Sequence, residues 1–253
     1  MSIKGKVLAA AATLTLVGGV GVGGVLTAGT ASAATPSCGP ACIDIFSHQF
    51  GTHKSPNFVL DVLRQGEKVG QPIILFRTAD YDPAEDFTVA FQGTVADFYT
   101  AGLVSAALAL HYGCIAGTNF PNCADGVDDP ALEIEYAPFG ANSGLCLGVA
   151  STAFNDEGVT LQSCGVSSKT VWVVDTLDTT FKGGYVPLIN GSDTNFSKPF
   201  VLTYPNIRYP TDKPRPQLVV TNITGFSQGT PPKPELGTID VDQIWGADFG
   251  VLR

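Results

Sequence analysis

The chain has 253 residues, of which 15% are charged, with 29 Gly, 17 Pro and a formal net charge of -9. An acidic chain without lysine or arginine clusters excludes nucleic acid and anionic membrane as main partners, since both reward positive charge. Long amphipathic helical patterns are scarce, so strands and loops are expected, in one β-rich domain or two small ones.

Residues 1–33 read as a secretory signal peptide. Lys4 and Lys6 precede a glycine-interrupted apolar run that ends in Ala31-Ser32-Ala33, the charged, apolar and small-residue order of that signal. The run has no stop-transfer flank, so the mature chain is expected to be secreted and extracellular, with no membrane span. All six cysteines fall in this mature part, and an even number in an oxidising compartment predicts disulfides. Proximity suggests Cys38 with Cys42 and Cys114 with Cys123. His48 and His53 follow the Cys38-Cys42 pair, a set a zinc ion would use, but an exported pair more often oxidises.

Residues 34–57 form a segment of their own. Ile43, Ile45, Phe46 and Phe50 make it more apolar than a disordered leader, while Gly39, Pro40 and Pro56 prevent a continuous helix. It either lies along its own domain and closes a barrel, or is an extended arm that inserts into a partner.

From residue 58 the chain resembles itself at fixed order, the mark of a repeat architecture. FVLDV begins at Phe58 and Phe76 follows 18 residues later; CLGVA begins at Cys146 and Cys164 follows 18 later. A third copy begins at Phe200 with FVLTY, continues through QLVVTN and reaches Trp245. Short apolar alternations bounded by turn residues predict strands joined by turns. Each copy approaches an aromatic residue through a related triplet: Glu85-Asp86-Phe87, Thr170-Val171-Trp172 and Gln243-Ile244-Trp245. Between the first and second copies lies an insertion near 96–130, apolar in its first half and loop-like in its second. LEIEY, residues 132–136, returns to strand alternation. Two proline-rich connections in the third copy read as stiff rim loops.

This order resembles the ricin B-type β-trefoil family, in which a Cys-Leu strand, a Cys-terminated strand and a Gln-x-Trp strand recur three times; here the second copy keeps the cysteines and only the third the complete Gln-x-Trp. The resemblance implies an all-β β-trefoil over 58–253, an N-terminal extended arm ahead of it, and a disulfide between Cys146 and Cys164. In that family a sugar-binding lobe uses an aspartate in its first strand, an aromatic platform in the next, and an asparagine just before Gln-x-Trp. Only Asp61 matches the aspartate; Gly148 and Thr203 stand in the other copies. The asparagine position falls on Ala84, near Ser168 or Lys169, and on Asp242. A residual sugar site at Asp61 with Tyr81 is therefore an alternative reading, that of a carbohydrate-binding lectin.

Other chemistry is weaker. Gly225 to Gly229, GFSQG, has the Gly-x-Ser-x-Gly pattern of a nucleophile elbow, but prolines follow where a helix is required, and no histidine follows Ser227. Asp80, Asp82, Glu85 and Asp86 lack the glycine of a regular calcium loop and read as a solvated turn, as do Asp125, Asp128 and Asp129. No enzyme, cofactor or metal is expected. Leader, apolar arm and eroded repeats together resemble the small adaptor subunit of actinobacterial umbrella toxin particles. That resemblance implies an N-terminal segment held by a larger secreted subunit and a body that docks a lectin-bearing subunit. The arm's expected partner contacts are Cys38, Cys42, Ile43, Ile45, Phe46, His48 and Phe50.

Overall fold

The alternating runs fold as three consecutive sets of four strands. In the computed structural model the first set is β1 (Ile43–Ser47), β2 (Phe58–Val62), β3 (Ile73–Arg77) and β4 (Phe87–Thr94). The second is β5 (Pro130–Tyr136), β6 (Leu145–Val149), β7 (Glu157–Ser163) and β8 (Val171–Val174). The third is β9 (Leu188–Asn190), β10 (Phe200–Thr203) and β11 (Val219–Asn222). After the short pair β12 (Phe226–Ser227) and β13 (Lys233–Pro234), it is completed by β14 (Trp245–Phe249). The structure describes residues 38, 42–55, 57–79, 82–113, 128–174, 184–205, 215–224, 226–227, 233–234 and 239–249. The signal-peptide expectation, Tyr81, Cys114 and Cys123 lie outside them. The chain divides into residues 1–34 and 35–253, and all described residues belong to the second unit.

First and fourth strands close a barrel. β1 pairs β4, β4 pairs β5, β5 pairs β8, β8 pairs β9, Val186 just before β9 bridges Trp245, and β14 returns to β1. Second and third strands form the hairpins β2–β3, β6–β7 and β10–β11. The hairpins meet in a triangle of bridges, Pro72 with Thr160, Gly158 with Val219, and Gln217 with Ile74. By hairpin register these three bridges occupy one position repeated three times, which is a pseudo-threefold axis. The fold is an all-β β-trefoil.

The same axis organises the interior. Leu60, Leu147 and Leu202 are superposable core residues of the second strands, with Ile45, Ile134 and Leu188 from the first strands and Phe87, Trp172 and Trp245 from the fourth. Both indoles donate to the backbone at matching places: Trp172 Nε1 to Leu147 O at 3.0 Å and Trp245 Nε1 to Leu202 O at 2.8 Å. Phe87 fills the third place without a donor. A second apolar cluster lies on the outer side of the barrel, where the insertion folds as α1 (Val95–Thr100) and α2 (Ala106–Tyr112). Thr94 and Asp97 cap α1 reciprocally and Ser105 caps α2, as such residues do at helix starts. Val95, Phe98, Leu108, Ala109 and Tyr112 pack on Ala131, Val171 and Val173 of the barrel. No helix among the described residues is long and apolar enough to cross a membrane.

Two expectations need correction. The repeat frame is Phe58, Leu145 and Phe200, because Val59, Cys146 and Val201 face Phe46, Glu135 and Ile189 across equivalent pairs. Cys146 thus sits one place later than its proposed match, although its disulfide to Cys164 is present. The segment before Phe58 is not a free arm either. Ile43, Ile45 and Phe46 are at most 3% exposed, and β1 hydrogen-bonds along its length to β14. Cys42 is buried and joined to half-buried Cys38 by a disulfide. His48 stacks on Tyr185 at 4.0 Å, and Phe50 packs edge-on against Phe58 and Tyr204. These seven residues are committed to their own domain, since withdrawing them would remove a barrel strand; the trefoil begins at Ile43.

Replacing Ile45 by Ala should lower the unfolding free energy by roughly 2–5 kcal/mol in urea titrations. Phe154→Ala, at a side chain 55% exposed, should change it by less than about 0.5 kcal/mol. A neutral Ile45→Ala would restore residues 43–47 to the role of a free arm.

Candidate functional site

The site is built on the outer face of the first hairpin. Strand periodicity sends Leu60 and Val62 of β2, and Ile73 and Leu75 of β3, into the core. It turns Asp61, Ile74 and Phe76 the other way, with Asp61 opposite Ile74 in register. Together with Leu63, Arg64, Gln65, Asp82, Ala84 and Arg215 they line a cleft of about 580 Å³. Arg64 and Gln65 hold left-handed backbone, φ 59° and 55°, a conformation that non-glycine residues rarely keep away from constrained sites. Gln65 Nε2 donates to Asp82 Oδ1 at 3.1 Å, tying the loop after β2 to the turn before β4. The same Asp82 oxygen caps that turn by accepting from Ala84 N at 3.0 Å.

Electrostatically the cleft has an acidic floor. Asp61 is 5% exposed and no described residue donates a hydrogen bond to it. Burial first, and the neighbouring Asp82 second, push its carboxyl up to about 7, with Arg215 pulling the other way. The Arg215 guanidinium lies over the Phe76 ring, 3.8 Å from its centroid, so one face of the cleft's aromatic ring is already occupied.

The triplets before β4, β8 and β14 have a structural task. Gln243 Oε1 accepts from Thr224 N at 2.8 Å, and its amide donates to Asn222 O and Thr221 Oγ1 at 2.9 Å. Glu85 accepts from Ala79 N at 3.2 Å, in the equivalent place. Thr170 is too short to reach, and Glu133 from β5 replaces it. Glu133 accepts from Gly165 N at 2.9 Å and from Thr170 Oγ1 at 2.5 Å. Each lobe therefore keeps a side-chain oxygen on the backbone N–H two residues beyond its third strand.

The sugar-contacting positions fared otherwise. A Cβ at Gly148 would stand 2.7 Å from Lys169 O and 3.0 Å from Thr170 Cγ2, leaving no room for an aspartate. Thr203 spends its hydroxyl on Val201 O and Thr221 Oγ1. Ala84 lines the first cleft where an amide would be needed. Among the predicted site residues only Asp61 is in the cleft; Tyr81 lies outside the described residues. Sequence reasoning missed Phe76, read only as a repeat landmark, and Arg215, delivered from the third repeat across more than a hundred residues of chain. The alternation of IILFR already placed Phe76 on the face of Asp61. Ser227 pairs with Lys233 in β12–β13, a strand pair rather than a strand-to-helix elbow. His53 Nδ1 meets Asp248 Oδ1 at 2.6 Å, away from the bonded sulfurs of Cys38 and Cys42.

No family model matches the chain, and no curated protein matches it. Among solved structures it is similar to a designed threefold-symmetric protein, ThreeFoil, with TM-score 0.48 and 12% identity over 82% of this chain and 97% of that one. It is also similar to part of a mosquitocidal holotoxin, with TM-score 0.46 and 13% identity, covering 83% of this chain and 17% of that one. An exo-β-1,3-galactanase from Clostridium thermocellum, 1,3Gal43A, follows with TM-score 0.45 and 10% identity over 83% and 30%.

Asp61 has a raised carboxyl in the folded state, so its contribution to stability is fully present below the ordinary carboxylate range and is lost as pH rises towards about 7. In metal-free buffer, Asp61→Asn should gain on the wild type in unfolding free energy between about pH 4 and about pH 7. A difference that stays constant over that interval would contradict the placement of the carboxylate.

Proposed function

We propose that this chain is a secreted, non-catalytic binding protein whose main task is to bridge other proteins in an exported assembly. The observation behind this reading is selective loss. The side chains that hold the trefoil together, Glu85, Glu133, Gln243, Phe87, Trp172 and Trp245, make equivalent contacts in all three lobes. The positions that would grip a sugar are filled by Ala84, Gly148 and Thr203. Leaving a buried hydroxyl or carboxylate partner unpaired costs about 1–3 kcal/mol, enough to erase the affinity of a single sugar site. A scaffold kept intact after such losses suits recognition by shape. The resemblance to the umbrella-particle adaptor fits this reading, with a larger secreted subunit and a lectin-bearing subunit as partners. Residues 43–50 are taken up by the barrel, so the contact surface lies elsewhere. The helical insertion exposes Tyr99 and Leu110, with Phe91 beside Phe98, and exposed aromatic side chains are enriched at protein interfaces. The disulfides among the described residues, Cys38–Cys42 and Cys146–Cys164, suit an oxidising compartment.

The second reading, a lectin, rests on the unpartnered Asp61 in an open cleft. The two separate in one experiment. Secreted full-length protein is expected to co-purify with a larger exported subunit, to lose it in Tyr99→Glu with Leu110→Glu, and to give no specific signal on a glycan array. Strong glycan binding that disappears in Asp61→Ala, with the protein purifying alone, would make the lectin reading primary.

A further inference from the structure

The first lobe differs in charge from both other lobes at two equivalent positions, and from the second lobe at a third. Beside the second strand it carries Asp61 where the others have Gly148 and Thr203. At the residue preceding the last single-turn helix it has Asp82, against Ser167 and Asp240. At the end of that turn it has Glu85, against Thr170 and Gln243. The fold is satisfied with neutral side chains at the first and third of these positions, as Gly148, Thr203 and Gln243 demonstrate. Three carboxylates gathered in one lobe, all with oxygens within 4.8 Å of one another, repel each other in a partly dry site and need a counter-charge.

Among the described residues no lysine or arginine comes within 4.0 Å of Asp61 or Asp82; Arg215 on the cleft wall is stacked on Phe76 and acts on Asp61 only from a distance. Asp61, 5% exposed and lining the open cleft, has no hydrogen-bond donor. The two hydrogen bonds to Asp82 both fall on Oδ1, leaving Oδ2 to the cleft. Glu85 accepts from Ala79 N at 3.2 Å on each oxygen. An all-oxygen, carboxylate-rich site open to water on one side is the donor set of a hard divalent cation, with water completing the six to eight ligands calcium takes. Residues from β2 and from the turn before β4, joined by Gln65, would be fixed by such an ion.

We propose that the first lobe binds calcium between Asp61, Asp82 and Glu85. The proposal is independent of whether the protein's partner is a protein or a sugar.

The test uses full-length protein freed of metal with chelator, then titrated with calcium chloride or magnesium chloride while the thermal midpoint is read. At a hundredfold excess over Kd, calcium should raise Tm by roughly 5–10 °C. Asp61→Asn and Asp82→Asn should abolish the rise, and Asp240→Asn, at the matching place in the third lobe, should retain it. The two isosteric variants remove repulsion, so without metal they should melt no lower than wild type, which separates a lost site from a misfolded chain. No rise with calcium in the wild type, or an equal rise in Asp61→Asn, would overturn the proposal.

Discussion

Three backbone N–H groups set the terms for this fold. Ala79, Gly165 and Thr224 lie two residues beyond the third strand of each lobe, where the chain turns back toward the barrel and no strand partner is available. A donor left unpaired in such a place costs about as much as the hydrogen bond it forgoes. Each is met by an oxygen reaching out from the barrel side, from Glu85, Glu133 and Gln243 respectively. That contact docks every hairpin on the barrel. The aromatic residue two positions after the first and third of these oxygens, and after Thr170 in the second lobe, is then fixed in the core, where Trp172 and Trp245 also hold the second strand by their indoles.

This requirement explains how the repeat could erode in sequence and persist in space. What is selected is an oxygen at one point, and a glutamate meets it as well as a glutamine. In the second lobe the oxygen comes from another strand altogether, so Thr170 can be short. The motif was therefore legible in its order and illegible in its parts. The frame slipped by one residue at Cys146 because a cysteine next to Leu147 mimics the apolar opening of FVLDV. The true equivalent, Leu145, is only half-buried. The first strand of each lobe went unrecognised as a repeated element. Ile45, Ile134 and Leu188 share burial but no neighbouring residue types, and β9 is three residues long. Once β1 is counted, the apolar character of residues 43–50 needs no partner: it is the barrel's own wall. The helices of the insertion, six and seven residues long, were too short to declare a helical period.

The cleft was half visible. Asp61 was found by its place in a strand, but the carboxylates that join it read as a solvated turn, because distance along the chain hides that Asp82 and Glu85 return beside β2. Burial changes their meaning. An acidic run in water is ordinary, whereas Asp61 at 5% exposure and Glu85 at 3% are groups whose charge must be answered. In the other lobes the corresponding space is closed by backbone at Gly148 or by a hydroxyl bonded inward at Thr203. The threefold scaffold thus carries one chemically distinct lobe.

The central claim is that the second lobe survives the loss of its glutamine because Glu133 supplies the missing oxygen. A double-mutant cycle on Glu133→Ala and Thr170→Gln, read as unfolding free energy in urea, tests it most directly. Glu133→Ala alone should destabilise the protein by about 1–3 kcal/mol, and adding Thr170→Gln should recover most of that loss, giving a clear coupling energy between the two sites. Additive effects, with Thr170→Gln failing to rescue, would contradict it.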